Sequence, residues 1–343
     1  MRAVLLTGFG GPEKLVYRED VPEPRPGPDE VRVRVGATAL NNTDIWTREG
    51  AYGSADDPGS SAGWRREPLA FPRIQGADVA GRIDEVGAGV PASRVGERVL
   101  LDPMIYQGGE RELVTTEYLG SERDGGFAEF VTVPAGNAHA VDTPLSDAQL
   151  ATFPTAYATA MRMLNRAGVR PGESILVTGA SGGVGSALIQ LATIRGARVV
   201  AAVSGGKREQ ARELGADATI DREKLSTELP ATSVDVVADV VAGPGFPSLL
   251  RALRPLGRYV VAGAIAGPLV ETDLRTVYLQ QLQLIGSSFG SHEDFRALLA
   301  HITGGELRPL LAATYPLREL RAAQEHFVRK NFFGKLVVTP GER

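Results

Sequence analysis

The chain predicts an α/β fold in which a β-rich first part leads into a doubly wound parallel sheet. Three observations predict it. Strand-like alternation with dense Gly and Pro punctuation fills the chain up to about Gly172. Beyond that point, short all-apolar runs alternate with stretches of helical period, the pattern of strands buried on both faces. A glycine-rich turn, "GASGGVG", joins the first of those runs to the first of those helices.

Each element can be justified in turn. "VRVRV" (31–35) alternates strictly, and "VAGRIDEVG" (79–87) and "ERVLL" (97–101) read as strands. Between them, 51–68 is too polar and turn-rich to be other than a loop, and 102–126 is a second long irregular segment. "SILVTG" (174–179) is a buried strand, followed by a helix with apolar Val184, Leu188, Leu191 and Ala192 at helical spacing. "ARVVAAVS" (197–204) is the next strand and "KREQARELGA" (207–216) the next helix, with "ATID" beginning a third strand–helix step. "VDVVADVV" (234–241), "GRYVVAGA" (257–264) and "LQLIGSSFG" (282–290) continue the sheet. A helix over 317–329 and a strand "GKLVV" (334–338) close the chain.

Composition removes several functions. The 343 residues allow two domains with sizeable cores. Net charge is −4, with Lys and Arg scattered, whereas a nucleic-acid partner needs a concentrated basic face. The first residues lack a signal layout and no apolar run approaches bilayer length, so no membrane partner and a cytoplasmic location are expected. There is no Cys, and none of His139, His292, His301 and His326 sits at ligand spacing from another, so no metal is expected.

Gly182 and Gly185, with Gly183 and Val184 around them, have the spacing of the second and third glycines of a dinucleotide fingerprint. The second would let backbone approach a pyrophosphate, and the third would let the helix pack on the sheet. Ala180 stands at the first position, a departure, and the alternative is a tight bend that holds nothing. NAD readers place a carboxylate at the end of the second strand. Here Ser204 stands there, with Lys207 and Arg208 following and Arg222 after the third strand. A hydroxyl with cations suits a 2′-phosphate and so NADPH; the alternative is that Lys207 only begins a solvated helix face.

Beyond the turn, "GPEKLVYREDVPEPRPGPDEVRVRV", "GADVAGRIDEVG", "VGERV", "DGGFAEFVTVPAGN", "GASGGVGSALIQLA" and "GKLVV" follow one another in order. Over essentially its whole length the chain thereby resembles the medium-chain dehydrogenase/reductase superfamily. The resemblance implies a GroES-like catalytic domain, 1–155 and 290–343, split around a Rossmann domain, 156–289. It places Asn41, Ala77 and Thr155 where zinc-dependent members carry Cys, His and Cys, with Asp78 at the neighbouring acidic position. The segment 102–126 keeps the length of a structural-zinc lobe without its cysteines. The likeness is therefore to the zinc-free branch, quinone oxidoreductase-like or zinc-lacking alcohol dehydrogenase-like.

In that branch a developing oxyanion needs hydrogen-bond donors in place of metal. The resemblance offers Asn41, Thr43 and the phenol of Tyr52 as catalytic groups, and Trp46, Tyr157 and Phe289 as walls for a small-molecule substrate. It brings Thr159, Gly263 and Asn331 to the cofactor. Duller roles stay open: Asn41 and Thr43 as turn residues, Tyr52 as packing, Asp44 bonded to backbone or an Arg, Asn331 as a helix cap. The implied activity is NADPH-dependent hydride transfer to an enone, an enoyl compound or a quinone. A metal-free carbonyl reductase or alcohol dehydrogenase, and an NADPH-binding protein without turnover, are the alternatives. A homodimer is expected through "YLQQLQLIGSSF" (278–289), since an apolar edge strand wants pairing.

Overall fold

The computed structural model describes residues 1–53 and 59–341. Residues 54–58 of the expected loop 51–68 lie outside the described residues. The chain divides into two compact units, Met1–Thr155 with Ser291–Arg343, and Ala156–Gly290. The return crossing falls after Gly290, one residue beyond the boundary read from the sequence.

The first unit is built on a seven-stranded sheet. Its order is Ala138–Ala140, Arg98–Leu101, Asp78–Val86, Glu30–Ala39, Lys335–Thr339, Leu311–Pro316, with Phe130–Pro134 also paired to Glu30–Ala39. Glu30–Ala39 is twice as long as the strict alternation suggests. Burial alternates from Glu30 to Ala37, and beyond the register shift at Val35/Ala37 the alternation gives way, Ala37, Thr38 and Ala39 all being buried. Smaller sheets join Leu15–Arg18, Ala3–Leu6 and Arg73–Ile74, and Met104–Ile105 with Glu117–Tyr118. The last pair lies within 102–126, which therefore carries a short hairpin and a helical turn, Glu110–Leu113, rather than being wholly irregular.

The second unit is a six-stranded, all-parallel sheet ordered Ala218–Asp221, Arg198–Val203, Ser174–Val177, Val234–Asp239, Leu253–Val261, Gln283–Gly286. In chain order that is 3-2-1-4-5-6, the doubly wound arrangement whose switch point lies at the first strand. Ile175, Leu176, Val177, Val199, Ala201, Val236 and Val237 have no exposed surface, which is why these runs read as unbroken apolar segments. The helix Gly183–Ile194 is buried at eight consecutive positions, Gly185–Ala192, and not along one stripe only.

Candidate active site

In the first unit three strand ends converge. Ala39 pairs with Asp78, and the Leu40 amide donates to the Leu336 carbonyl at 2.9 Å, so Asn41, Asp78 and Lys335 meet at one end of these three interior strands. Lys335 Nζ donates to Asn41 Oδ1 at 2.5 Å and to Asp78 Oδ2 at 2.9 Å. Asn41 Nδ2 donates to the same Asp78 oxygen at 3.0 Å, closing a triangle. The other Asp78 oxygen accepts the Thr155 amide at 2.8 Å, and the Thr155 hydroxyl shares a 2.8 Å hydrogen bond with the Tyr118 phenol. Asn41, Asp78, Tyr118 and Lys335 are all buried.

Asn41 is also the N-cap of the helix Asn42–Glu49, but its side chain turns to the triangle. Asp44 satisfies the Asn41 amide instead, at 2.7 Å. Burial pushes the Asp44 carboxyl up to about 7, with the nearby Asp78 charge adding to the rise. The helix is held at its far end by buried Arg48, which donates to Gln324 Oε1 at 2.9 Å and to the Gly10 carbonyl at 2.5 Å. On its other flank Tyr52 donates to Thr43 Oγ1 at 3.0 Å and meets Trp46 edge-on at 5.4 Å. Burial raises the Tyr52 phenol to about 12, so it stays a proton carrier across the physiological range.

In the second unit the glycine turn lies at the carboxyl end of the first strand. The tight bend is made by Gly179, in the left-handed region at φ 55°, and not by Ala180, which is fully buried. A β-carbon at Gly185 would come within 2.2 Å of the Gly179 carbonyl, so close packing of helix on strand requires glycine there. At Gly182, exposed at the helix start, a β-carbon would meet only that same oxygen, at an ordinary 3.4 Å. Gly183 and Val184 follow, half-buried. Ser204 directly follows the second strand, and Lys207 reaches back from beyond it to Ser181 Oγ at 3.4 Å. Burial lowers the Lys207 ammonium pKa, and the neighbouring Arg222 charge lowers it further. Arg222 is itself exposed, and Arg208 turns to Asp221 at 3.4 Å. Beneath the turn, buried Asp239 accepts from Thr178, from Tyr259 at 2.5 Å and from the Val241 amide at 2.8 Å, tying three strand tips together.

Comparison with known proteins matches residues 27–143 to the alcohol dehydrogenase GroES-like domain and 183–304 to the zinc-binding dehydrogenase domain. The acryloyl-coenzyme A reductase of Metallosphaera sedula is 31% identical, over 99% of this chain and 100% of its own. The chain belongs to the medium-chain dehydrogenase/reductase superfamily. Within the superfamily it is quinone oxidoreductase-like: the quinone oxidoreductase of Mus musculus is 32% identical over 95% of this chain and 93% of its own. Among solved structures, a "putative alcohol dehydrogenase" of Sinorhizobium meliloti 1021 is 52% identical, with TM-score 0.94 over 99% of this chain and 97% of that one. The 2-octenoyl-CoA carboxylase reductase CinF, solved with NADP and 2-octenoyl-CoA, is 25% identical with TM-score 0.83, over 100% and 88%.

The residues that the superfamily resemblance singled out fall in several places. Asn41, Thr43, Trp46 and Tyr52 gather on and beside one helix. Tyr157, expected as a pocket wall, is instead a core residue of the second unit, 1% exposed, its hydroxyl taken by Gln190 at 2.7 Å. Thr159, two residues on, is buried as well, and Phe289 is half-buried. Gly263 follows the Leu253–Val261 strand, half-buried. Asn331 is exposed and is not the cap considered for it: Lys330 ends the helix Leu320–Arg329 in the left-handed conformation. Sequence reasoning missed Lys335, Tyr118, Ser181 and Gly179. Of these only Gly179, a glycine at a strand end, carried a local signal.

Proposed function

We propose that this chain is a cytoplasmic, zinc-independent oxidoreductase that uses NADPH to reduce an α,β-unsaturated carbonyl, such as an enone or enoyl thioester, or a quinone. The observation that carries the reading is the Asn41–Asp78–Lys335 triangle. The superfamily's zinc would need thiolate and imidazole donors near Asn41, Ala77 and Thr155. The groups met there are an amide, a methyl and a hydroxyl, and an ammonium already engages the amide oxygen and the carboxylate. That donor set does not fit zinc, and no step is assigned to a metal.

The second unit fits a phosphorylated dinucleotide. The fold itself leaves room for a side chain at Gly182, so the lack of one there is explained by a phosphate lying against the backbone at the helix start. Ser204, Lys207 and Arg222, with Ser181 beside Lys207, would take the 2′-phosphate. When bound, the reduced nicotinamide supplies the hydride. Asn41 Nδ2–H donates to the acceptor's oxygen as charge builds there, and the neutral Tyr52 phenol, hydrogen-bonded to Thr43, holds a proton for the product. Relatives named for acryloyl-coenzyme A reduction, for quinone reduction and for binding NADP with 2-octenoyl-CoA support this substrate class.

We further propose a homodimer paired along Gln283–Gly286, the edge strand of the parallel sheet. The functional test is a matrix of NADPH and NADH against an enone, its saturated ketone and a quinone. NADPH oxidation with the enone or quinone, and little with the ketone, is the expected result. Turnover of the ketone alone means carbonyl reduction, and thermal stabilisation by NADPH without turnover means a binding protein.

A further inference from the structure

We propose that Lys335 is a positioning residue: its ammonium locks the Asn41 side-chain amide so that one N–H is left facing the reacting carbonyl. This rests on the oxidoreductase reading above and adds to it the means by which Asn41 is held.

An amide's oxygen and nitrogen are interchangeable in shape, so their assignment follows from their partners. Here the partners leave one choice. An ammonium only donates, so Lys335 must meet Oδ1, at 2.5 Å; an ionised carboxylate only accepts, so Asp78 must meet Nδ2, at 3.0 Å. Lys335 and Asp78 are in turn bonded to each other at 2.9 Å, so neither can rotate away without abandoning a buried charge. With both ends of the amide committed, the Nδ2 group keeps a second N–H that has no partner among the described residues. A buried donor with no protein acceptor, fixed in direction by two charges, is what a developing oxyanion needs. Without Lys335 the amide could turn and present its carbonyl, an acceptor that repels the same oxyanion. The cation also withdraws electron density through the Oδ1 contact, which makes the free N–H a stronger donor.

The test avoids stranding Asp78 by removing the pair together. In Lys335→Met/Asp78→Asn, turnover of the enone or quinone that serves the unaltered enzyme is expected to fall at least about tenfold, with KM for NADPH and melting temperature little changed. Asn41→Ala should lose a similar factor. Adding the paired change to Asn41→Ala should cost less than about threefold more, because groups acting through one amide are not additive. The independent readout is NMR on the full-length protein. The Asn41 side-chain amide pair, assigned by its loss in Asn41→Ala, should be slow to exchange in the unaltered chain and fast in Lys335→Met/Asp78→Asn. Losses that multiply, a defect confined to the KM for NADPH, or an Asn41 amide equally protected in both would overturn the proposal. If the unaltered enzyme turns over none of these acceptors, the functional reading fails instead, while the NMR comparison still decides whether Lys335 fixes the amide.

Discussion

Asp44 accepts the Asn41 backbone amide at 2.7 Å, and burial lifts its carboxyl from an ordinary 3.8 to about 7. The sign of the consequence is fixed by linkage. Between about pH 4 and pH 7 the folded chain holds a proton on Asp44 that the unfolded chain has released, so stability falls as pH rises through that window. The slope from this one group is at most about 1.4 kcal/mol per pH unit. His292 tilts the same way. Burial lowers its pKa, but its 2.6 Å hydrogen bond to Asp102 and that carboxylate's charge outweigh burial, so its contribution is full at low pH and lost as pH rises through the raised value. The comparison of Asp44→Asn with the unaltered protein cancels His292 and leaves Asp44. Urea unfolding followed across the window should show a flatter pH dependence in Asp44→Asn, with the variant gaining relative stability toward neutral pH. Parallel curves would mean that Asp44 titrates in the ordinary range.

At the scale of elements, the glycine turn separates two demands that the sequence shows as one motif. Gly185 answers to the fold, and Gly182, on the reading proposed above, answers to a ligand. Gly185→Ala forces a β-carbon against the Gly179 carbonyl and the Ala180 backbone, an overpacking that should cost about 1–3 kcal/mol in urea unfolding. Gly182→Ala meets only an ordinary contact, so its melting temperature should stay near that of the unaltered chain while NADPH affinity falls roughly tenfold or more. Fluorescence titration with NADPH checks the second variant; undiminished affinity there removes the phosphate from this turn.

The same elements show what a sequence carries and what it does not. The strands of the parallel sheet and the turn were legible because burial on both faces writes itself as unbroken apolar runs over a few neighbouring residues; the spatial order of those strands was not. The helix Gly183–Ile194 was legible as a helix but not as one buried over eight consecutive positions, since Ala and Gly fit either a face or an interior. Tyr157 was offered as a wall by the resemblance, and nothing local announces Gln190, 33 residues on, as its partner. Lys335 was illegible for the same reason at longer range. A lysine opening "GKLVV" looks like a solvated strand end, and its partners Asn41 and Asp78 lie 294 and 257 residues away. Periodicity reports burial; only the closed sheet reports who meets whom.

On the scale of the whole molecule, the parallel sheet of the second unit ends on Gln283–Gly286, which among the described residues pairs on one side only, with Leu253–Val261. Leu284 on that strand is 47% exposed, and Tyr278 and Leu279 just before it are 62% and 71% exposed. Isolated exposed apolar residues need no explanation, but Leu284 sits on an unpaired edge, with Tyr278 and Leu279 at the end of the preceding helix Leu274–Leu279, and such an edge offers free N–H and C=O groups to any matching strand. A second copy related by a two-fold axis presents the same edge in antiparallel register, so one interface satisfies both and leaves no further edge to propagate. The unaltered protein is therefore expected to sediment as a dimer at micromolar concentration. Leu284→Lys sets like charges against each other across that axis and should shift the equilibrium toward monomer, without altering the melting of a unit whose buried core it does not touch. A monomer at micromolar concentration before any substitution, or a dimer indifferent to Leu284→Lys, would assign the exposed apolar row to something other than a second copy.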